Sequence, residues 1–165
     1  MAAKFILTKS AKAYFDKLNK ASATGSLKHD LEEWWLCAQA GLVANTLGGD
    51  PEPGSKDTVE YFIKSLEPAQ ARIRGLLLMR HLERVDAGGM KRELLESEMG
   101  KLLAASDTKL TDHGVKLLNR YASAGFELIR DEIGSQSDLY VFMLEYDSLI
   151  KRLSAGGVED TTAAD

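Results

Sequence analysis

The chain holds one cysteine, three prolines and three histidines among 165 residues, and alternating β-branched stretches hardly occur in it. A single thiol, Cys37, excludes an intramolecular disulfide, and a domain of this length buries roughly 70% of its unfolded surface without such a staple. The histidines, His29, His81 and His113, are scattered. His29 precedes Glu32 and Glu33 at helical spacing, but the order is not the Glu-x-x-His of di-iron bundles and no second copy follows, so no metal or cofactor is expected. The glycines of "LGGDPEPGS" follow no strand and precede no Gly-Lys-Ser/Thr, which excludes a phosphate-cradling loop. Apolar runs such as "GLLLM" fall far short of the roughly 18 residues of a membrane span, and "MAAKFILTKS" lacks a leader's apolar region. A cytoplasmic protein without a membrane partner is therefore expected.

No catalytic residue can be named. Cys37 sits away from the tryptophan stripe with no sequence-adjacent cation to lower its pKa, so it reads as a packed thiol. An enzyme using the carboxylates of Glu32, Glu33 and Glu60 is the weakest of the readings, and no small-molecule substrate suggests itself.

What the chain does have is helical periodicity. Ala, Leu, Lys, Glu and Arg dominate the periodic segments, which predicts an all-α fold: one compact bundle of about six to seven helices over residues 1–153, followed by a disordered acidic tail over 154–165. The spacing places a first helix over Ser10–Ala21 with Thr8 or Ser10 as its cap. A second runs from just after Ser26 to about Thr46, and a short one over Thr58–Ser65 opens on a capping-box-like Asp57 and Glu60. The next starts with Pro68 at its first position and ends near Asp86, and another covers Met90–Ala105. Thr111 caps a long helix to about Ile133, with Leu110 and Val115 placed as a staple, and the last spans Asp138–Leu153.

Several of these helices carry more apolar surface than one face. On a wheel started at Leu27, Trp34 and Trp35 share a roughly 100° arc with Leu31, Ala38 and Leu42, while Leu36, Ala40 and Val43 lie on the other side. The last helix has a stripe from Leu139 through Phe142 and Tyr146 to Leu153, with Val141 and Leu144 outside it. Gly125 would let another backbone come close to the long helix. Surplus faces arise when a central helix is wrapped by others, and also when a face stays open for another chain. Four helices with such surplus favour an oligomer or complex subunit, with Leu36, Val43, Val141 and Leu144 as candidate interface residues.

The formal net charge of −4 hides alternating blocks. Lys9, Lys12, Lys17 and Lys20 fall on one broad face of the first helix, opposite Phe15 and Leu18; together with Arg72 and Arg74 they are the candidate nucleic-acid contacts. A solvated outer face is the alternative, and Arg80 and Arg84 share a side with Ile73 and Leu77, where they suit pairing with acidic groups of a neighbouring helix or subunit.

The opening also carries Leu7-Thr8-Lys9, Ala11, Leu18 and Thr24-Gly25 with Leu27: a Leu-Ser/Thr-Lys-x-Ala entry, a lysine-bearing helix, a Thr-Gly turn and a second helix. Over about the first quarter of the chain this resembles the DndE-type small subunit of bacterial DNA phosphorothioation systems. The resemblance implies a compact helical, non-catalytic protein that assembles with itself or its partners and touches DNA backbone through lysines. Two functions follow as expectations. One is a non-enzymatic subunit of a bacterial DNA-processing, DNA-modification or phage-defence complex, with DNA as a candidate partner. The other is a protein-interaction module, self-associating or heterologous, with no nucleic-acid role.

Overall fold

Hydroxyl caps set two of the helix starts in the computed structural model, which describes residues 3–52, 62 and 64–159. Thr8 accepts a hydrogen bond from the Ala11 backbone N–H (3.2 Å) to open α1 (Lys9–Ala21), and Thr111 accepts from that of Gly114 (3.0 Å) to open α5 (Asp112–Glu132). Between them lie α2 (Asp30–Val43), a 3₁₀ turn (Lys64–Ala69), α3 (Gln70–Arg84) and α4 (Arg92–Gly100), and α6 (Leu139–Glu159) follows. The described residues thus form an all-α fold of six helices without a strand; one isolated bridge joins Leu103 to Leu110.

Several boundaries differ from the sequence expectation for local reasons. Residues 27 and 28 lie outside the second helix, because the Glu32 carboxylate reaches back to the Lys28 (3.0 Å) and His29 (3.3 Å) N–H groups and fixes the start of α2 at Asp30. Pro68 lies inside the 3₁₀ turn and α3 begins two residues later, at Gln70. The helix expected over Met90–Ala105 is shorter, since Leu102 and Leu103 turn back towards Leu110 and Thr111. Of the expected Thr58–Ser65 helix, residues 58–61 and 63 lie outside the described residues, and Lys64 and Ser65 belong to the 3₁₀ turn. The last helix continues past Leu153 to Glu159; residues 160–165 lie outside the description.

The centre of the molecule is the pair α2 and α5, whose backbones touch. A Cβ built on Gly125 would stand 1.7 Å from the Cys37 carbonyl oxygen and 2.7 Å from the Gly41 nitrogen; one on Gly41 would stand 1.9 Å from the Tyr121 carbonyl oxygen. Only glycine permits this approach. It brings Leu118, Tyr121, Ala122 and Phe126 of α5 into the same core as Trp34, Cys37, Ala38 and Leu42 of α2. Asn119 is buried there and satisfied: its Oδ1 accepts from Trp34 Nε1 (3.0 Å) and the Ile6 N–H (2.9 Å), and its Nδ2 donates to the Lys4 carbonyl (2.8 Å). The N-terminal segment is thereby held down, with the Phe5 ring 4.5 Å from that of Trp34.

The end of α2 is a Schellman turn. Asn45 takes φ 52°, and the Asn45 and Thr46 N–H groups bond the Leu42 and Gly41 carbonyls. Arg80 of α3 donates to the Leu42 (2.7 Å) and Val43 (2.9 Å) carbonyls, and Arg84 to that of Asn45 (3.1 Å), placing cationic donors against the negative end of the helix dipole. In place of acidic groups of a neighbouring helix or subunit, both arginines meet backbone carbonyls at the end of α2, and Arg80 also pairs with Glu83 of its own helix (2.8 Å). On another side, α6 covers α2: the Tyr146 hydroxyl donates to the Leu36 carbonyl (2.7 Å), and Phe142 packs with Tyr14 and Phe15 of α1.

Candidate interaction surface

The lysine face of α1 does not survive as one surface. Lys12 is half-buried, its ammonium 2.6 Å from Asp30 and 3.1 Å from Asp16, and the Asp30 bond raises its pKa against the opposing effect of burial. Lys9 is exposed but borders a hollow that also presents Asp50, Glu52 and Glu127, while Lys17 and Lys20 are exposed beside Asp16. The helix rise separates Lys9 from Lys20 by roughly 16 Å, so the positive field is broken by acidic groups over the span of several phosphates. Arg72 is exposed on α3, and Arg74 is half-buried with a 3.4 Å contact to the Gln70 side chain.

Beneath Lys12 lies a small interior polar group. Glu33 is buried and accepts from Asn19 Nδ2 (3.0 Å); burial, its largest influence, pushes its pKa up to about 7 against the pull of Lys12. Asn19 also grips the Leu27 backbone N–H (2.9 Å), so this cluster ties α1 to the turn before α2. Cys37 is fully buried, and both burial and Glu33 raise its pKa, which disfavours the reactive thiolate. Burial likewise raises Tyr14 to about 12, and its hydroxyl donates to the Gly134 carbonyl (2.6 Å). Glu32 is engaged in capping α2 and accepts from the Ser65 hydroxyl (3.2 Å), while Glu60 lies outside the described residues. His81 Nε2 sits 2.9 Å from Glu98 and joins α3 to α4; among the described residues no group of three or more His, Cys, Asp and Glu side chains is arranged to hold a metal.

The four candidate interface residues divide by helix. Leu36 is buried and Val43 half-buried, because α2 is the central helix and α3, α5 and α6 pack around it; its second face is not an open surface. Val141 and Leu144, at 43% and 53% exposed, do stand in the open. They are joined by Tyr140 at 63% and Met143 at 39%, which makes the first two turns of α6 apolar on the outside as well as within. The sequence signal for these two was present: in the run "LYVFML", Leu139 and Phe142 take the inward positions, so the other four must point elsewhere. Contiguous exposed apolar area of this kind marks contact sites on soluble proteins.

A second outward apolar face lies on α3. Met79 is 44% exposed, and with Gly75, Leu78 and Leu82 it lines an open groove of about 510 Å³ that ends at Glu83 and Asp86. Trp35 marks a third hollow, half-buried beside Leu27, Leu36 and Met143. Thus the two adjacent tryptophans part, Trp34 into the core and Trp35 to its edge. No helix among the described residues is long and apolar enough to cross a membrane. No protein-family model, curated protein or solved structure matches the chain.

Proposed function

We propose that this protein is a non-enzymatic docking subunit, held in a larger assembly through the outer face of α6. The observation that carries this reading is the cluster of Tyr140, Val141, Met143 and Leu144, four large apolar side chains exposed side by side on two helical turns. Each leaves apolar area in water whose burial is worth about 25 cal/mol per Å², and exposed apolar side chains clustered in this way are a common mark of a contact site. The buried Cys37, whose thiolate is disfavoured, and the capping role of Glu32 fit a body built for stability rather than turnover. The test is the native mass of the protein isolated gently from its host. A species well above 18.1 kDa that falls to 18.1 kDa with Leu144→Asp supports the reading; a wild-type particle of 18.1 kDa overturns it.

The resemblance of the opening segment extends this to a subunit of a bacterial DNA-processing, DNA-modification or phage-defence complex. The observation favouring a DNA contact is that Lys17 and Lys20 project from adjacent turns of α1 without an ion pair among the described residues. Two phosphate contacts would give a salt slope of about −2 on duplex DNA. A salt titration with labelled duplex tests it: binding that is weakened, with a shallower slope, by Lys17→Ala with Lys20→Ala supports the contact, and binding indifferent to both removes it.

A further inference from the structure

Three carboxylates gather round one ammonium where α1 lies on α2. Lys12 of α1 stands 2.6 Å from Asp30 Oδ1 and 3.1 Å from Asp16, and Glu33 lies within, only 2% exposed. Two oxygens of this group, Asp30 Oδ2 and Glu33 Oε2, are buried and find no hydrogen-bond partner among the described residues. A buried acceptor left unpaired is costly, more so when it is charged. Asp30 and Glu33 sit three residues apart on α2, which makes them neighbours on one helix face. While both are ionised, neither can donate to the other. A single proton turns one of them into a donor and answers both orphaned oxygens. Lys12 bonds Asp30 and not Glu33, so the proton belongs on Glu33. We infer that the seam between α1 and α2 is a proton-operated latch: Glu33 donates a proton to Asp30 while the seam is closed, and loss of that proton opens α1 to water.

The surroundings of Glu33 favour the neutral acid. From α1 it meets Lys12, Asp16 and Asn19; on α2 its neighbours are Asp30 and Cys37, and Cys37 in turn is faced by the Tyr14 and Tyr146 hydroxyls of α1 and α6. Burial is the largest influence on Glu33, Lys12 opposes it, Asp30 and Asp16 reinforce it, and the pKa rises to about 7. Cys37 and both hydroxyls are themselves pushed up by burial, so none of them supplies a charge near neutral pH.

An ionised Glu33 needs water, and α1 is the element able to admit it. The α2 helix is clamped to α5 through the backbone at Gly41 and Gly125, whereas α1 leads into a turn, residues 22–29, in which no residue is buried. The Asn19 amide, bonded to both Leu27 and Glu33, is the strap across that turn. With the seam open Glu33 titrates at its ordinary value of 4.5, and with the seam closed at about 7. Below pH 4.5 both forms hold the proton and the seam is tightest. Between 4.5 and 7 only the closed form holds it, so opening grows about tenfold per pH unit, and above 7 it levels off.

The test is hydrogen exchange of the full chain, read residue by residue by NMR at pH 5 and pH 8 and corrected for the intrinsic rate. The amides of Phe15, Leu18 and Asn19 should be less protected than those of α5, and their protection should fall about a hundredfold between the two pH values. Glu33→Gln carries no such proton and should protect them equally at both. A carboxyl-carbon titration of the wild type should place the Glu33 midpoint near 7, and Asp30→Asn should move it to lower pH. Circular dichroism checks that both variants fold, and the wild-type titration does not depend on them.

A Glu33 midpoint at about 4.5, or one that Asp30→Asn leaves in place, overturns the inference. So do α1 amides protected as strongly as those of α5, since the seam would then open only when the whole chain unfolds, and so does a pH dependence that persists in Glu33→Gln.

Discussion

Replacing Gly125 by alanine adds one methyl group at the point where α2 and α5 touch. The added Cβ would lie 1.7 Å from the Cys37 carbonyl oxygen and 2.7 Å from the Gly41 nitrogen. Both are backbone atoms, which no side-chain rotation can move. Restoring ordinary contact requires the helices to part by roughly 1.5 Å, in a core packed as densely as an organic crystal. Separation opens gaps beside Trp34, Leu118 and Ala122, so overpacking and lost contact act together, at about 3 kcal/mol or more. Against this stands the helix propensity of alanine, which favours the variant by only about 1 kcal/mol. The same substitution at Gly156, inside α6 with nothing within 4 Å of its added Cβ, has only the propensity gain and should stabilise by up to about 1 kcal/mol. Urea unfolding followed by tryptophan fluorescence and circular dichroism reads both. A Gly125→Ala variant as stable as the wild type would show that the α2–α5 contact is not the structural centre described above.

Folding raises the pKa of Glu33 from 4.5 to about 7, so the folded state holds a proton that the unfolded chain has released. The contribution is fully present below pH 4.5 and is lost as pH rises through 7. Glu33→Gln keeps an acceptor for Asn19 and should remove that decline, raising stability at pH 8 by up to about 3 kcal/mol with little change at pH 4.5; equal effects at both pH values would contradict it. Asn119→Ala strips partners from Trp34 Nε1, the Ile6 N–H and the Lys4 carbonyl, and should cost about 3 kcal/mol in urea while exposing the N-terminal segment to proteases. A loss well under 1 kcal/mol would mean that water replaces the amide.

The helices were legible in the sequence because their signals are local. Thr8 and Thr111 cap as their hydroxyls suggest, and the inward stripe of α6 follows from one wheel. Gly125 was readable as a place of close approach, but its counterpart Gly41 lies over 80 residues away and nothing local couples the two. The same limit explains the candidate sites. Val141 and Leu144 are exposed as the surplus-face argument expected, whereas Leu36 is buried because α6 returns from the far end of the chain to cover it. Lys12 looked like its neighbours until Asp30, from the next helix, supplied a partner. Arg80 and Arg84 gave no sign that they would cap α2, since a carbonyl at a helix end has no sequence signature.

The claim that this domain is built to be docked is tested most directly by the size of the particle it forms in its host. Native mass spectrometry of the gently isolated protein should find it in a species well above 18.1 kDa, and the Leu144→Asp variant, with an unchanged circular dichroism spectrum, should be found at 18.1 kDa. A wild-type protein recovered only as an 18.1 kDa monomer contradicts the account.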